Sequence, residues 1–322
     1  MMRKQRESSR TSARKRQVGF TVKEPFVDNT PIEKIERKPD LISSVGRRER
    51  RPRGVIKNTS DAEQVGSSDY LMNIQNRHSN QTIYILGNGP EIACLDDRTY
   101  ETIKNGISIG TNATHLIFPK TTYYVAGHPI HYVLNCKHGL VDKSRFYHGW
   151  DITQDIDYEK NRTVRYENIP RSPVYSEEYR NQISFSAINI ACLMNPSRII
   201  FIGIDMKSNQ RFYDQNTSLK EKLLEQVKSI QKEAKSSQLS EDTNNTINIL
   251  TGKMSINYAN TYGRFRGEYT RVFKEMRSIG IQPVIHNANS ILAEAGADIL
   301  ENIDERSSSN HSGKKRKSKN TK

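Results

Sequence analysis

Short apolar runs that end in polar turns recur between residues 82 and 290 of the chain. Most of these runs carry apolar side chains at nearly every position, which is typical of strands that are buried on both faces of a sheet. The pattern predicts strands within five segments: 82–86, 107–113, 122–128, 197–205 and 280–290.

Segments with apolar residues at helical spacing, 184–195 and 267–279, lie among these strands. The combination predicts an α/β fold with a doubly wound, mostly parallel, Rossmann-like sheet. Ligands of such sheets bind beyond the carboxyl ends of the strands. One crevice lined by five polar strand ends is therefore expected: Gly87–Pro90, Gly110–Asn112, Gly127–His128, Gly203–Asp205 and His286–Ser290.

Residues 206–256 interrupt the strand pattern. A charged run at 218–239 has helical character, and the polar stretch SEDTNNTIN that follows it is expected to be a loop. The segment is interpreted as an insertion beside the site, which serves either as a lid or as the contact of a homo-oligomer.

Both ends of the chain are basic and poor in apolar residues. Residues 1–57 hold 17 Lys and Arg against 7 Asp and Glu, and residues 305–322 hold 7 against 1, although 58–304 has a net charge of −2. Such segments cannot bury a core, so we expect disordered arms at 1–78 and 305–322 around one catalytic domain at 79–304. The arms predict attraction to DNA or another polyanion; solubilising tails, nuclear targeting and membrane-surface binding remain alternatives.

Other sequence features narrow the class of protein. The three Cys residues are odd in number and far apart, which argues against a disulfide framework or a zinc cluster and favours a reducing compartment. No apolar run reaches the ~20 residues of a membrane span, and no apolar segment follows the basic N-terminus as in a secretory signal. A cytoplasmic protein is expected, in a bacterial cell or a virus-infected host cell.

The turn Gly87-Asn88-Gly89-Pro90 follows the first predicted strand. Glycines there let a ligand approach the backbone, whose N–H groups suit phosphate. The turn does not match the dinucleotide pattern G-x-G-x-x-G, and a tight connection without a ligand is the alternative. Asn88, together with Asn112 at the next strand end, suits a hydroxyl-rich ligand, although Asn is also common in turns.

A second polar group follows the strand at 197–205. Asp205 ends that strand, and Lys207, Arg211 and Tyr213 follow within eight residues, which suits the charge of a departing phosphate. The alternative is an exposed loop with unrelated charges. Tyr262, in a basic and aromatic stretch, is a further candidate for contact with substrate.

Four collinear segments resemble the bacterial sialyltransferases of the glycosyltransferase 42 family and the related DUF115 group. They are IYILGNGP, the Asn at the second strand end, ISFSAINIACLMNPSRIIFIGIDM, and IHNANSILAE, within about 82–300. The resemblance implies a sialyltransferase-like fold, a variant of the GT-A type. It also implies a nucleotide-sugar donor, such as a CMP-linked sugar, and direct displacement without a required cofactor or metal.

The resemblance and the residue chemistry together give a candidate site. The catalytic candidates are Tyr213, Lys207, Arg180 and Tyr262. The donor-binding candidates are Gly87, Asn88, Gly89, Pro90, Asn112, Ser184, Ser186, Asp205 and Asn289.

One departure concerns the general base. The family uses a His before its last long helix, and residues 252–270 contain none; Tyr258, Tyr262 and Glu268 are the nearest titratable groups. Either the base has moved, to His128 or to a lid residue, or the acceptor differs.

The leading hypothesis is a glycosyltransferase whose acceptor is unassigned, for example a glycan or modified viral DNA. The alternatives are an inactive nucleic-acid-associated protein on the same fold and a DUF115-like pyrophosphokinase, which needs a metal and a second nucleotide.

Overall fold

A computed structural model of the chain describes residues 74–149, 152–175, 182–207, 210–254 and 265–300. Most of both predicted arms, and the candidates Arg180 and Tyr262, lie outside these ranges. Within them, no helix is both long enough and apolar enough to cross a membrane.

Eight strands form one sheet in the described part of the chain, and every pair of neighbours is parallel. Their order across the sheet is β5-β4-β3-β2-β1-β6-β7-β8. The predicted α/β class with a parallel, Rossmann-like sheet is confirmed. The strands are β1 (Thr82–Leu86), β2 (Ile107–Thr111), β3 (Lys120–Ala126), β4 (Leu140–Tyr147), β5 (Thr163–Arg165), β6 (Arg198–Ile202), β7 (Gln282–Ile285) and β8 (Asp298–Ile299).

Seven α-helices accompany the sheet in the same ranges. The helices predicted at 184–195 and 267–279 are α3 and α6 and agree with the prediction to within two residues. The full set is α1 (Asp97–Asn105), α2 (Pro129–His138), α3 (Ile183–Leu193), α4 (Thr217–Glu233), α5 (Ser237–Leu250), α6 (Arg266–Ser278) and α7 (Ile291–Glu294).

The sheet is buried on both faces, which explains the continuous apolar runs. Ile83 and Ile85 of β1 belong to a core that includes α3 and α6 on one face. Tyr84 and Leu86 belong to a second core, on the other face, that includes α2 and α4. Because successive side chains of a strand point to opposite faces, a strand with helices on both sides must be apolar throughout.

The strand order reverses between β1 and β6. From β1 the chain builds the sheet outward through β2, β3, β4 and β5, and then crosses back so that β6 pairs with β1 on its other edge. Leu86 and Ile202, the last residues of these two strands, are partners in the register. Ligand crevices of doubly wound sheets lie at this point.

The insertion differs from its predicted form. The expected loop SEDTNNTIN lies inside α5, and the preceding helix, α4, ends at Glu233. Ser236 begins the second helix, because its hydroxyl accepts a hydrogen bond from the Leu239 N–H at 3.2 Å. Leu239, Thr243 and Leu250 are buried along one face of α5, so tertiary packing outweighs the weak helix propensity of its Asn, Thr and Asp residues.

Residues before the predicted domain boundary pack against the domain. Ile74 is fully buried within the core that contains α3. The N–H groups of Asn76 and His78 donate to the carbonyls of Leu193 and Met194, at 2.9 and 3.2 Å. The folded unit therefore extends at least to residue 74.

Asp155→Ala is expected to destabilise α5. The Asp155 carboxylate accepts hydrogen bonds from the N–H groups of Lys235 and Ser236, at 2.6 and 3.0 Å, at the start of this helix. Loss of such a cap costs about 1 kcal/mol. Chemical denaturation should show this loss for Asp155→Ala, whereas Asp157→Ala removes only a local turn contact to the Lys160 N–H and should change stability less. Equal losses in the two variants would contradict the capping role.

Candidate functional site

A cleft of about 530 Å³ lies beyond the carboxyl ends of the central strands. Its walls come from the ends of β1, β2, β3 and β6, from the starts of α2 and α3, and from α5. The lining residues are Gly87, Asn88, Gly89, Thr111, Asn112, His128, Ile130, His131, Gln182, Ile183, Ser184, Gly203, Ile204, Asp205, Met206, Gln210, Arg211, Asp242, Asn245, Thr246, Ile249 and Met254.

The glycine turn after β1 is shaped by the end of β6. The Gly87 N–H donates to Ile202 O at 2.8 Å, and the Gly89 N–H donates to Gly203 O at 2.7 Å. A Cβ atom on Gly87 would overlap the Gly203 carbonyl oxygen and lie 2.6 Å from Cγ1 of Ile204. The turn is bare because two backbones meet there, and these two N–H groups are engaged within the protein.

Asn88 ties the ends of β1 and β2 together. Its side chain is buried, with Nδ2 donating to Thr111 O at 3.3 Å and Oδ1 accepting from the Ala113 N–H at 3.1 Å. The backbone oxygen of Asn88 also accepts from the Phe212 N–H at 3.0 Å. Asn88 therefore fixes the shape of the cleft floor, whatever contact it makes with a ligand.

Asn112, which lines the cleft, follows the end of β2. Its backbone is left-handed, with φ +48°, a conformation that Asn tolerates better than most residues. The hydroxyl of Tyr124 donates to Asn112 O at 2.7 Å and holds this turn. The side-chain Oδ1 is buried and accepts no hydrogen bond within the described residues. Buried polar atoms are rarely left unpaired, so this oxygen suits a donor group of a ligand.

The cleft brings together six of the predicted donor-binding residues, and the others lie elsewhere. Ser186 is fully buried; its hydroxyl donates to Gln182 O at 3.1 Å and lies 2.5 Å from Nε2 of His148. The donor-binding roles of all nine predicted residues stay predictions. Those in the lining are Gly87, Asn88, Gly89, Asn112, Ser184 and Asp205, and those outside it are Pro90, Ser186 and Asn289.

The two described catalytic candidates also lie outside the lining. Tyr213 is 5% exposed and packs against Phe212 in the core that contains α2 and α4. Lys207 pairs with Oε1 of Glu294 at 2.6 Å and donates to Oδ1 of Asn289 at 3.2 Å. Neither side chain therefore lines the cleft, and their assigned roles stay predictions.

Several residues of the lining were absent from the sequence-derived site. Helix α5 brings a stripe of Asp242, Asn245, Thr246 and Ile249 that the sequence did not indicate, whereas Arg211, which the sequence placed near the crevice, lines the cleft. These four positions follow the i, i+3, i+4, i+7 spacing of one helix face. That spacing is visible in the sequence, but only once the segment is known to be helical.

His128 and Asp242 form a charged pair at the cleft. His128 precedes the first residue of α2, and its Nδ1 lies 3.6 Å from Oδ1 of Asp242; their side chains are 68% and 17% exposed. Asp242 raises the pKa of His128 above its ordinary value, against the opposing effects of burial and of Arg211. Burial opposes ionisation of Asp242, but its contacts with His128 and with the Ile130 N–H outweigh this and lower the pKa of the carboxyl.

A second histidine, His131, lines the cleft one turn further along α2. Burial, followed by the nearby positive charge of His128, lowers its pKa well below the ordinary value. Its Nδ1 is buried without a hydrogen-bond partner in the described part of the chain. His131 is therefore neutral at physiological pH and adds no second positive charge beside His128.

A buried carboxyl group supports the glycine turn from behind. Oε1 of Glu91 accepts a hydrogen bond from the Gly203 N–H at 2.5 Å. Burial raises the pKa of Glu91, although the Gly203 N–H and Asn287 oppose this effect.

In the ranges that the structure describes, no group of three or more His, Cys, Asp or Glu side chains is arranged to hold a metal ion.

Comparisons with known proteins leave the family of the chain open. No protein-family model and no curated protein matches it. A solved structure of the sialyltransferase CstII from Campylobacter jejuni, in complex with the substrate analogue cytidine-5'-monophosphate, is similar over 68% of this chain and 85% of that chain. The identity is 12% and the TM-score is 0.35, a similarity too low to carry an argument about this chain.

Proposed function

We propose that the protein binds a nucleotide-sugar in the cleft and transfers its sugar to a hydroxyl group of an acceptor. The observation that carries this proposal is the position of the cleft, at the point where the strand order reverses between β1 and β6. Crevices at this point bind nucleotides in doubly wound folds. The four segments that resemble the glycosyltransferase 42 family support a nucleotide that carries a sugar as the ligand.

The polar groups of the cleft suit the neutral part of such a donor. Asn112 offers a buried oxygen without a partner within the described ranges. Ser184 lies at the start of α3, where its hydroxyl accepts a hydrogen bond from the Tyr269 hydroxyl at 2.7 Å and is held in place. Amide and hydroxyl groups of this kind bind the hydroxyls of a ribose or sugar. The volume of about 530 Å³ is that of an ordinary small-molecule site.

Arg211 is the cation that the proposal assigns to the phosphate. It lines the cleft, nine residues after the end of β6, and a guanidinium can hold two phosphate oxygens at once. Lys207, which the sequence assigned to this charge together with Arg211, lies outside the cleft lining and pairs with Glu294. Charge that develops on the departing phosphate would therefore be stabilised by Arg211.

His128 is the group that we assign as general base. Its Nε2 would accept the proton of the acceptor hydroxyl while the hydroxyl oxygen attacks the anomeric carbon. The new glycosidic C–O bond forms as the bond between the anomeric carbon and the phosphate oxygen breaks, and the leaving phosphate keeps that electron pair. The proton remains on His128, whose positive charge Asp242 stabilises, until solvent removes it.

The first test is a thermal-shift screen with CMP, UDP, GDP, their sugars and ATP. Asn112→Gly removes the side chain but keeps a residue that tolerates φ +48°. Asn80→Gly is the matched control, because Asn80 is also left-handed, with φ +62°, and is exposed away from the cleft lining. We expect a nucleotide-sugar to raise the melting temperature of the wild type and of Asn80→Gly, and to raise that of Asn112→Gly by less.

A turnover assay separates a transferase from a protein that only binds nucleotides. An active transferase slowly releases nucleotide from its donor even without acceptor, because water takes the place of the hydroxyl. No thermal shift with any nucleotide would contradict the proposed function. A shift without any release of nucleotide would reduce it to nucleotide-sugar binding.

A further inference from the structure

The insertion contributes a charged group to a histidine that lies far away in sequence. Asp242 is on α5, whereas His128 lies between β3 and α2. In the described ranges α5 and the ends of the central strands face the same cleft. The cleft therefore contains a carboxylate and an imidazole that meet only when the insertion packs against α2.

Two contacts fix the Asp242 carboxylate. Its Oδ2 accepts a hydrogen bond from the Ile130 N–H at 2.8 Å, in the first turn of α2, where backbone N–H groups have no partner within the helix. Its Oδ1 is the atom that faces Nδ1 of His128 at 3.6 Å. The backbone contact anchors one oxygen, so the other oxygen is held toward the imidazole.

This geometry determines which nitrogen of His128 is left for chemistry. A carboxylate opposite Nδ1 favours the proton on Nδ1, and Nε2 is then the acceptor. The same division of roles orients the histidine in hydrolases with a Ser-His-Asp triad. The His128 ring also lies edge-on to the His131 ring, with centroids 6.3 Å apart, but Asp242 is the partner that faces Nδ1.

We propose that Asp242 is a positioning residue, which orients His128 and stabilises its protonated form, so that the helical insertion completes the general base of the cleft. The role in transfer rests on the proposed function, because it takes His128 as the base. The contact between the two residues does not depend on that function. The insertion is then part of the catalytic machinery, in addition to being a wall of the cleft.

Among the residues that the structure describes, three titratable or charged groups face His128 from the elements around it. Asp242, from α5, favours the imidazolium form of His128. Arg211, after β6, is positively charged and disfavours it. His131, on α2, has a lowered pKa and carries no charge at physiological pH. Since His131 stays neutral, Asp242 and Arg211 are the charges that act on His128. Removal of the carboxylate should therefore leave only effects that disfavour protonation, and the pKa of His128 should fall.

The test follows the imidazole of His128 by NMR in the full chain, with its signals assigned by comparison with His128→Gln. Asp242→Asn removes the charge but keeps an oxygen for the Ile130 N–H. Glu241→Gln is the matched control, because Glu241 is the exposed neighbour on the same helix. We expect Asp242→Asn to lower the pKa of His128 and to increase the fraction with the proton on Nε2, and we expect Glu241→Gln to change neither.

The outcomes distinguish this inference from the proposed function. An unchanged pKa and tautomer of His128 in Asp242→Asn, with a preserved melting temperature, would overturn the inference. If Asp242→Asn melts early, the tautomer of His128 in the wild type decides, and a proton on Nε2 would overturn it. A changed pKa without any detectable transfer would retain the positioning role and contradict the proposed function instead. With transfer, the rising limb of the pH–rate profile should move to lower pH in Asp242→Asn.

Discussion

Gly87→Ala is expected to lose about 3 kcal/mol or more of the free energy of unfolding. The added Cβ would overlap the Gly203 carbonyl oxygen and approach Cγ1 of Ile204 to 2.6 Å. Overpacking costs about 1–3 kcal/mol where neighbours can shift. Here the neighbour is backbone that accepts the Gly89 N–H, so relief of the overlap must separate the ends of β1 and β6. Chemical denaturation of the two proteins measures the loss.

Gly267→Ala is the control for this substitution. Gly267 lies near the start of α6, and a Cβ there would meet no heavy atom within 4 Å. Alanine is the better helix former by up to about 1 kcal/mol, so this variant should be as stable as the wild type or more stable. Similar stabilities for Gly87→Ala and the wild type would show that the strand ends are not in close contact.

The glycine turn shows what its sequence could reveal and what it could not. The pattern GNGP after an apolar run correctly predicted a turn of bare backbone at a strand end. It could not reveal that the approaching group is Gly203 at the end of β6, 116 residues further along the chain. Close approach of a ligand and close approach of another strand require the same glycines. Only the strand order distinguishes them.

The fold was predictable where burial is two-sided. The central strands β1 and β6 are apolar at almost every position because helices cover both faces of the sheet. Such a run of apolar residues can be recognised within a few consecutive positions of the sequence. Strand β4 escaped prediction because its first half, which includes Leu140 and Lys143, is largely exposed and its second half is buried. Helix α5 escaped because its buried residues are separated by Asn, Thr and Asp, whose preference is for turns.

The site was less predictable because it depends on contacts between distant segments. The place of Asn112 in the cleft lining could be predicted from its position at a strand end, since all such ends share one edge of the sheet. The pairing of His128 with Asp242 joins residues 114 positions apart, and no local pattern encodes it. Lys207 and Tyr213 also follow a strand end closely in sequence, yet neither lines the cleft, because nearness in sequence does not determine where a side chain points.

His128→Gln is expected to reduce the rate of sugar transfer at saturating donor by about 10²- to 10⁴-fold, the usual contribution of a general base. Glutamine is polar but cannot accept the acceptor proton at neutral pH. Because Asp242 raises the pKa of His128, the neutral and active imidazole forms only above the ordinary histidine value. The wild-type rate should therefore rise with pH through that raised pKa. Steady-state rates over the pH range should show that this rise is lost in His128→Gln.

The control is His138→Gln, in the last turn of α2, the helix that His128 precedes; the His138 side chain is exposed and outside the cleft lining. It should keep both the rate and the rising limb. Donor affinity should be the same in all three proteins, because a base that acts on the acceptor contributes to the transition state rather than to binding of the donor. A parallel loss of affinity and rate in His128→Gln would assign His128 to donor binding. A full rate in that variant would place the base elsewhere, and the carboxylate of Asp205, which also lines the cleft, would then be the next group to test.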